Sequence, residues 1–328
     1  MSEQHWKSKR QEALPDFIIG GAMKSGTTTL HTILDKHPDI SIAHNELGFF
    51  DVDDVLTHPD FNFYETKSQT WLEQSMSAYP EELWNWYYSQ FAGLKKHSKV
   101  IGEDSTTYLA SSFAAKRIAL QEKPIKLIFI LRHPTSRTIS NYLHLLKSGR
   151  AIYSLEDTLQ YQPEIIVKRS LYKSQLERYY KHLPSERIKI ILFEDLLTKK
   201  EECIKEVCQF LNIDFNKFQR DDLNVHSNQT KVPKYIKLQL FRNSILRGKG
   251  QFRYSRFLPI QPELQKAMPF YYKLFDYLHK RMNPHSNSHT FKVSKGTTDL
   301  LDNYFKKELE GLDDLVQMNL LSKWFKSE

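Results

Sequence analysis

The chain has 328 residues, and its 47 Lys and Arg against 39 Asp and Glu give a formal charge of +8. Apolar residues at 40% and aromatic residues at 13% exclude a disordered chain, while two cysteines exclude a disulfide scaffold and are typical of a reducing compartment. The longest apolar runs, 17–23 and 127–131, are far shorter than the roughly 20 residues of a membrane span. The polar residues 1–16 lack the apolar core of a signal peptide. We therefore expect a soluble, cytoplasmic protein without a transmembrane segment.

Predicted strands and helices alternate along the chain. Strands are predicted at 16–22, 40–43, 99–102, 125–131 and 187–193. Helices are predicted at 27–36, 71–93, 134–147, 171–182, 195–211 and 298–316. This alternation indicates an α/β fold with a central parallel sheet and helices on both faces. We expect a single domain over 1–328, with a core at about 16–215, a basic lid or insertion at 224–260 and a C-terminal helix within 297–328.

Basic residues are concentrated at 231–257. Eight Lys and Arg and no Asp or Glu lie there, so the rest of the chain is formally neutral. Such an excess favours an anionic partner, which includes a phosphorylated cofactor, an acidic glycan, an anionic lipid surface or nucleic acid. A solvated connector that its interleaved aromatic residues anchor to the core is an equally good interpretation.

The most informative segment is the turn after the first predicted strand, Gly20-Gly21-Ala22-Met23-Lys24-Ser25-Gly26-Thr27-Thr28-Thr29. A strand that leads through a glycine-containing turn into a helix directs backbone N–H groups and partial positive charge to one point. Lys24 adds a full positive charge, and the threonines add hydroxyl donors. The turn is therefore predicted to bind an oxyanion. It differs from the Walker A pattern because Lys24 precedes Gly26 instead of following it.

Two segments resemble the cofactor-binding motifs of the sulfotransferase family, which uses 3′-phosphoadenosine 5′-phosphosulfate (PAPS). Residues 21–28 resemble its 5′-phosphosulfate loop. In residues 126–142, a strand ends at Arg132 and Ser140 follows eight residues later on the next helix, as in the family's 3′-phosphate motif. Arg132 offers a planar fork to a phosphate, and Ser140 can donate a hydroxyl beside it. The resemblance implies a single P-loop-like domain.

The resemblance is greatest to the branch that contains the glycan (heparan-type) and related bacterial sulfotransferases, and it covers roughly 16–215. Residues 44–50 resemble a segment in which a glutamate precedes a Phe-Phe pair, residues 102–108 resemble a segment that lines the acceptor cleft, and 170–172 also fit. This likeness implies a PAPS-dependent sulfotransferase that acts on a hydroxyl or amine. The expected acceptor is a carbohydrate or glycolipid.

The resemblance also implies roles for individual residues. Glu46 is the expected catalytic base, and its pKa would have to be raised, as desolvation by its apolar neighbours can do. His44 is the alternative base, because another branch of the family uses histidine. Lys24 is expected at the bridging oxygen and the transferred group. The predicted cofactor-binding residues are Lys24, Ser25, Gly26, Thr27, Thr28, Thr29, Arg132, Ser140 and Tyr172; no metal and no nucleic-acid partner is expected.

The sequence departs from the family pattern in three places. Asn45 and Asp104 stand where relatives often have Lys, which removes positive charge near the expected acceptor cleft and disfavours a strongly polyanionic acceptor. The Lys-Gly-Arg cofactor lid of the glycan branch is not visible. Residues 228–234 are a candidate replacement, with Lys231 or Lys234 on the cofactor. Residues 295–298 look phosphate-binding but lack a preceding strand, so they are interpreted as the cap of the final helix.

Two other functions remain open from the sequence. A P-loop kinase would show Mg²⁺-dependent ATP turnover, although the position of Lys24 disfavours it. A protein that binds nucleic acid or an anionic surface through 231–257 would bind with steep salt dependence and would tolerate changes at Lys24. The identity of the acceptor and the choice between O- and N-sulfation are not encoded in any motif, because variable loops build acceptor pockets.

Overall fold

The computed structural model describes residues 3–94, 98–219, 221–225, 231–247, 258–261, 269–287 and 291–325. The strands are β1 (Phe17–Gly21), β2 (Ile40–Glu46), β3 (Phe63–Glu65), β4 (Thr70–Leu72), β5 (Val100–Asp104), β6 (Lys126–Leu131), β7 (Ile188–Leu192), β8 (Lys231–Pro233) and β9 (His285–Asn287). The α-helices are α1 (Thr27–Leu34), α2 (Pro80–Ser89), α3 (Ala114–Ala119), α4 (Pro134–Ser148), α5 (Leu155–Tyr161), α6 (Glu164–Val167), α7 (Tyr172–His182), α8 (Phe193–Thr198), α9 (Lys200–Leu211), α10 (Ile236–Leu246), α11 (Phe270–Met282), α12 (Lys295–Glu308), α13 (Leu312–Val316) and α14 (Leu321–Trp324).

A five-stranded parallel sheet with the strand order β2-β5-β1-β6-β7 forms the centre of the fold. Every residue of β1 is buried, as is every residue of β6 after Lys126. Strands that are covered on both faces are continuous apolar runs rather than alternating ones, which is why 17–21 and 127–131 stand out in the sequence. The predicted parallel sheet is confirmed.

Helices pack on both faces of this sheet, because alternate side chains of a strand point to opposite sides. On one face, Ile128 and Ile130 share a buried cluster with Leu30 of α1. On the other face, the ring of Phe129 contacts that of Tyr179 in α7, with 4.7 Å between the ring centroids. The predicted arrangement of helices is therefore also confirmed.

The chain divides into two compact units. The first unit comprises Met1–Arg132, Tyr172–Ser227 and Tyr254–Pro262, and it contains the whole central sheet. The second comprises His133–Leu171, Asn228–Arg253 and Glu263–Glu328, and it contains α4 and the antiparallel pair β8 and β9. The predicted limits of core, insertion and C-terminal helix stay predictions. Across the described ranges, the helices are all too short or too polar to cross a bilayer.

Three predicted helices are wrong in extent. Residues 70–72 form β4, and α2 begins only at Pro80, a residue suited to the first turn of a helix. The helix predicted over 195–211 is divided at Lys199, whose backbone is not helical (φ −128°, ψ 42°). The predicted final helix ends at Glu308 as α12, and a separate helix, α13, follows with Gly311 (φ 81°) as its N-cap. The predicted cap at the start of α12 is confirmed. Ser294 forms it, because its side chain accepts a hydrogen bond from the N–H of Thr297.

Candidate active site

The turn between β1 and α1 has the backbone geometry of an anion-binding loop. Gly26, the N-cap of α1, is left-handed (φ 90°), and Lys24 also has a positive φ of 71°, which is uncommon for a residue other than glycine. A Cβ on Gly26 would lie 2.8 Å from Cδ2 of Phe193, so the turn has no room for a side chain there. The first N–H groups of α1 have no partners within the helix and can bind an anion.

Ser25 fits an oxyanion in this turn. The residue is fully buried, and its Oγ has no hydrogen-bond partner among the described residues. A buried hydroxyl without a partner is destabilising, and an oxyanion in the turn would accept its hydrogen bond. Thr27 is buried, Thr29 half-buried and Thr28 exposed, so the threonines that begin α1 differ widely in exposure.

Arg132 follows β6 and contacts the same turn directly. Its Nη1 donates a hydrogen bond of 3.0 Å to the carbonyl oxygen of Lys24, and its guanidinium carbon lies 4.7 Å from the ring centroid of Phe193. Tyr172 is fully buried and donates from Oη to the carbonyl oxygen of Arg132, at 2.9 Å. The structure thus joins Lys24, Arg132 and Tyr172, and it shows Tyr172 holding the backbone of Arg132.

The other predicted cofactor residues belong to the second unit. Ser140 is buried on α4. Lys231 begins β8, and the Nζ of Lys234 lies 5.3 Å from the ring centroid of Tyr235. Contacts of Ser140, Lys231 and Lys234 with a cofactor remain predictions.

Two carboxylates lie side by side at the carboxyl edge of the sheet. Glu46 ends β2, Asp104 ends β5, and the two are register partners. The Oε2 of Glu46 accepts a hydrogen bond of 2.7 Å from Oγ1 of Thr106. Loss of hydration and the negative charge of Asp104 raise the pKa of Glu46, whereas the hydrogen bond of Thr106 and the charge of Lys24 lower it; the net direction is upward. Glu46 nevertheless keeps part of its surface exposed to solvent.

The alternative base, His44, lies on the same strand as Glu46 and is exposed. Glu46 accepts a hydrogen bond from Thr106, and the charge of Lys24 lowers its pKa. The choice of Glu46 over His44 as the base remains a prediction.

His31 is a site residue that sequence reasoning missed. His31 lies on α1, and its Nδ1 is 3.3 Å from Oδ2 of Asp104 at the end of β5. Burial lowers the pKa of His31, but the hydrogen bond and charge of Asp104, together with Asp35 and Glu46, raise it, so the net direction is upward. The only signal in the sequence is that His31 follows Thr27 by four residues and therefore shares its side of α1.

A second missed residue is Glu103, which is fully buried next to Asp104. Its carboxylate accepts hydrogen bonds from Oγ of Ser105 and Oη of Tyr108, both at 2.6 Å, and from Oη of Tyr87. Three hydroxyl donors satisfy a carboxylate that the core would otherwise exclude. A glutamate in a buried strand, followed closely by hydroxyl residues, is the signal that could have identified it.

The donors to Glu103 also hold the loop that follows Glu46. Oγ of Ser105 accepts a hydrogen bond of 2.9 Å from the N–H of Gly48, and Oη of Tyr108 accepts one of 3.0 Å from the N–H of Phe50. Each hydroxyl therefore bridges the buried carboxylate to the loop backbone.

The buried Glu103 predicts a pH-dependent stability. Burial raises its pKa from 4.5 to about 7, so the folded protein holds this proton more tightly than the unfolded chain. Its contribution therefore lowers stability as the pH rises from 4.5 toward 7, by at most about 1.4 kcal/mol per pH unit. We expect Glu103→Gln to flatten this fall when urea unfolding is measured at pH 5, 6 and 7. Exposed Glu201, paired with Lys205, provides the control Glu201→Gln, and an unchanged slope in Glu103→Gln would contradict the assignment.

Comparison with known proteins identifies the family. The sequence model of the Sulfotransferase family matches residues 15–217. The chain is 26% identical over 287 residues to heparan sulfate glucosamine 3-O-sulfotransferase 5 of Mus musculus, covering 83% of this chain and 74% of the relative. It is 31% identical over 159 residues to the membrane-associated sulfotransferase kil1 of Dictyostelium discoideum, covering 47% and 29%.

A solved structure shows the same fold. The sulfotransferase from Alicyclobacillus acidocaldarius superposes with a TM-score of 0.59 at 21% identity, covering 95% of this chain and 98% of that one. The predicted fold and the predicted enzyme class, a sulfotransferase, are confirmed. Because the family model covers more than half of the sequence and the entire central sheet, the chain belongs to the sulfotransferase family.

Proposed function

We propose that this sulfotransferase moves the sulfuryl group of PAPS to a hydroxyl or amine of a carbohydrate or glycolipid, with Glu46 as the base. The observation that carries this proposal is the turn between β1 and α1, where the buried Oγ of Ser25 lacks a partner among the described residues. The positive charge of Lys24 in the same turn lowers the pKa of Glu46. Donor and acceptor chemistry would therefore meet at one edge of the sheet.

The donor end would work by positioning and by charge. When bound, PAPS supplies the sulfuryl group and leaves as the 3′,5′-bisphosphate. Ser25 and the first N–H groups of α1 would donate hydrogen bonds to the phosphosulfate oxygens. Lys24 would place its charge at the oxygen on which negative charge develops as the S–O bond breaks. Arg132 would hold the 3′-phosphate through its planar fork.

The acceptor end would work by proton transfer. Glu46 would take the proton as the O–H or N–H bond of the acceptor breaks and the new bond to sulfur forms. A carboxylate is a better base when its pKa lies closer to the working pH, and the surroundings of Glu46 raise it. The relatives named as acting on heparan sulfate support a carbohydrate acceptor. Paired with Asp104, Glu46 disfavours an acceptor with high negative charge.

The nucleotide site can be tested without knowledge of the acceptor. Calorimetric titration with adenosine 3′,5′-bisphosphate should show micromolar or tighter binding, which Arg132→Ala weakens about 10- to 100-fold because a charged hydrogen-bond donor is lost. Arg187→Ala is the matched control, since Arg187 donates to the carbonyl oxygen of Ile125 at the opposite edge of the sheet. A folded wild-type protein that does not bind the bisphosphate would refute the proposal.

A further inference from the structure

Three titratable side chains meet where β2 and β5 end. Glu46 and Asp104 are register partners on these adjacent strands, and neighbouring strands lie about 4.8 Å apart. His31 reaches the pair from α1, with its Nδ1 3.3 Å from Oδ2 of Asp104. The acceptor end therefore holds two carboxylates and one imidazole, which is more than a single base requires.

Asp104 is the central member of this cluster. It is only 4% exposed, and its Oδ2 is hydrogen-bonded to Nδ1 of His31. The other oxygen, Oδ1, is buried without a hydrogen-bond partner in the part of the chain that the structure describes. Burial raises the pKa of Asp104, while the hydrogen bond and charge of His31 lower it. The net direction for the pKa of Asp104 is upward, and His31 is the partner that opposes this rise.

The groups that face Glu46 come from three elements. The charge of Asp104 on β5 raises the pKa of Glu46, and the charge of Lys24 in the turn after β1 lowers it. Thr106 donates a hydrogen bond to Glu46. The charge of Glu46 in turn raises the pKa of His31 on α1. In the proposed reaction, Lys24 is engaged by the donor. Asp104 is then the neighbouring carboxylate that, after burial, does most to raise the pKa of Glu46.

We propose that Asp104, hydrogen-bonded to His31 and paired with Glu46 across the adjacent strands, is a positioning residue that makes Glu46 a stronger base for the acceptor proton. A second negative charge beside Glu46 disfavours its ionised form, so the proton that leaves the acceptor is held more firmly. His31 and Asp104 touch neither donor nor acceptor in this scheme; they act through Glu46. The inference rests on the proposed function, in which Glu46 is the base.

The test measures the proton affinity of Glu46 directly in the full chain without ligands. Protein labelled with ¹³C at the Glu and Asp carboxyl carbons is titrated by NMR, and Glu46→Gln and Asp104→Asn assign the two signals. We expect Asp104→Asn to lower the pKa of Glu46 by about one, because a like charge is removed. Asp35→Asn is the matched control, since Asp35 acts on His31 from the same helix end, and it should leave Glu46 nearly unchanged.

A second variant tests the role of His31. His31→Asn removes the partner of Asp104, so the pKa of Asp104 should rise, whereas a merely structural contact would leave it unchanged. An unchanged or raised pKa of Glu46 in folded Asp104→Asn would overturn the inference, and so would an unchanged pKa of Asp104 in His31→Asn. These titrations do not require turnover, so their failure is distinguishable from failure of the proposed function, which the bisphosphate titration reports.

Discussion

Lys24→Met is expected to lower the rate constant of sulfuryl transfer by about 100- to 1,000-fold, the usual effect of removing one group that stabilises developing charge. Methionine keeps most of the length of the side chain and removes the charge together with the N–H donors of the ammonium group. Binding of the bisphosphate should weaken far less than the rate falls, because the charge matters most as the S–O bond breaks. The measurement is release of adenosine 3′,5′-bisphosphate from PAPS with a panel of carbohydrate acceptors.

The control for this experiment is Lys36→Met. Lys36 is exposed just beyond α1, and its Nζ donates to the carbonyl oxygen of Asp222, so its loss should leave the rate within about twofold, as for ordinary surface changes. If Lys24→Met kept nearly full activity, the turn after β1 would not be the site of transfer.

Glu46→Gln is expected to lower kcat about 100- to 10,000-fold, because general-base catalysis contributes that much. In the wild-type protein, kcat/KM should fall as the pH drops below the raised pKa of Glu46, since the carboxylate must be ionised to take the proton. Glu46→Gln should lose this dependence together with the rate. Steady-state kinetics between pH 4 and 8 would measure both effects.

His44→Ala is the decisive companion variant, because His44 is the alternative base on the same strand. We expect it to retain activity close to that of the wild-type protein. If His44→Ala lost the rate while Glu46→Gln kept it, the role of base would pass to His44. Unchanged binding of the bisphosphate by both variants would show that the donor site is intact.

The sequence determined the parts of the site that are local. The turn from Gly21 to Thr27 is one contiguous segment, and its glycine, lysine and hydroxyl residues specify a phosphate-binding conformation through nearest neighbours alone. Arg132 could also be predicted as a site residue, because it directly follows a strongly apolar strand. Strands β1 and β6 were predicted because a strand buried on both faces is a continuous apolar run.

Helix ends and long-range contacts were decided only by the tertiary structure. Parallel strands are joined by long crossovers, so neighbours in the order β2-β5-β1-β6-β7 lie far apart in sequence. Three contacts of the site join residues that are distant in sequence: the pairing of Glu46 with Asp104, the hydrogen bond of His31 with Asp104, and the hydrogen bond from Tyr172 to the carbonyl oxygen of Arg132. No local pattern encodes them, because each depends on which strand ends come to lie side by side.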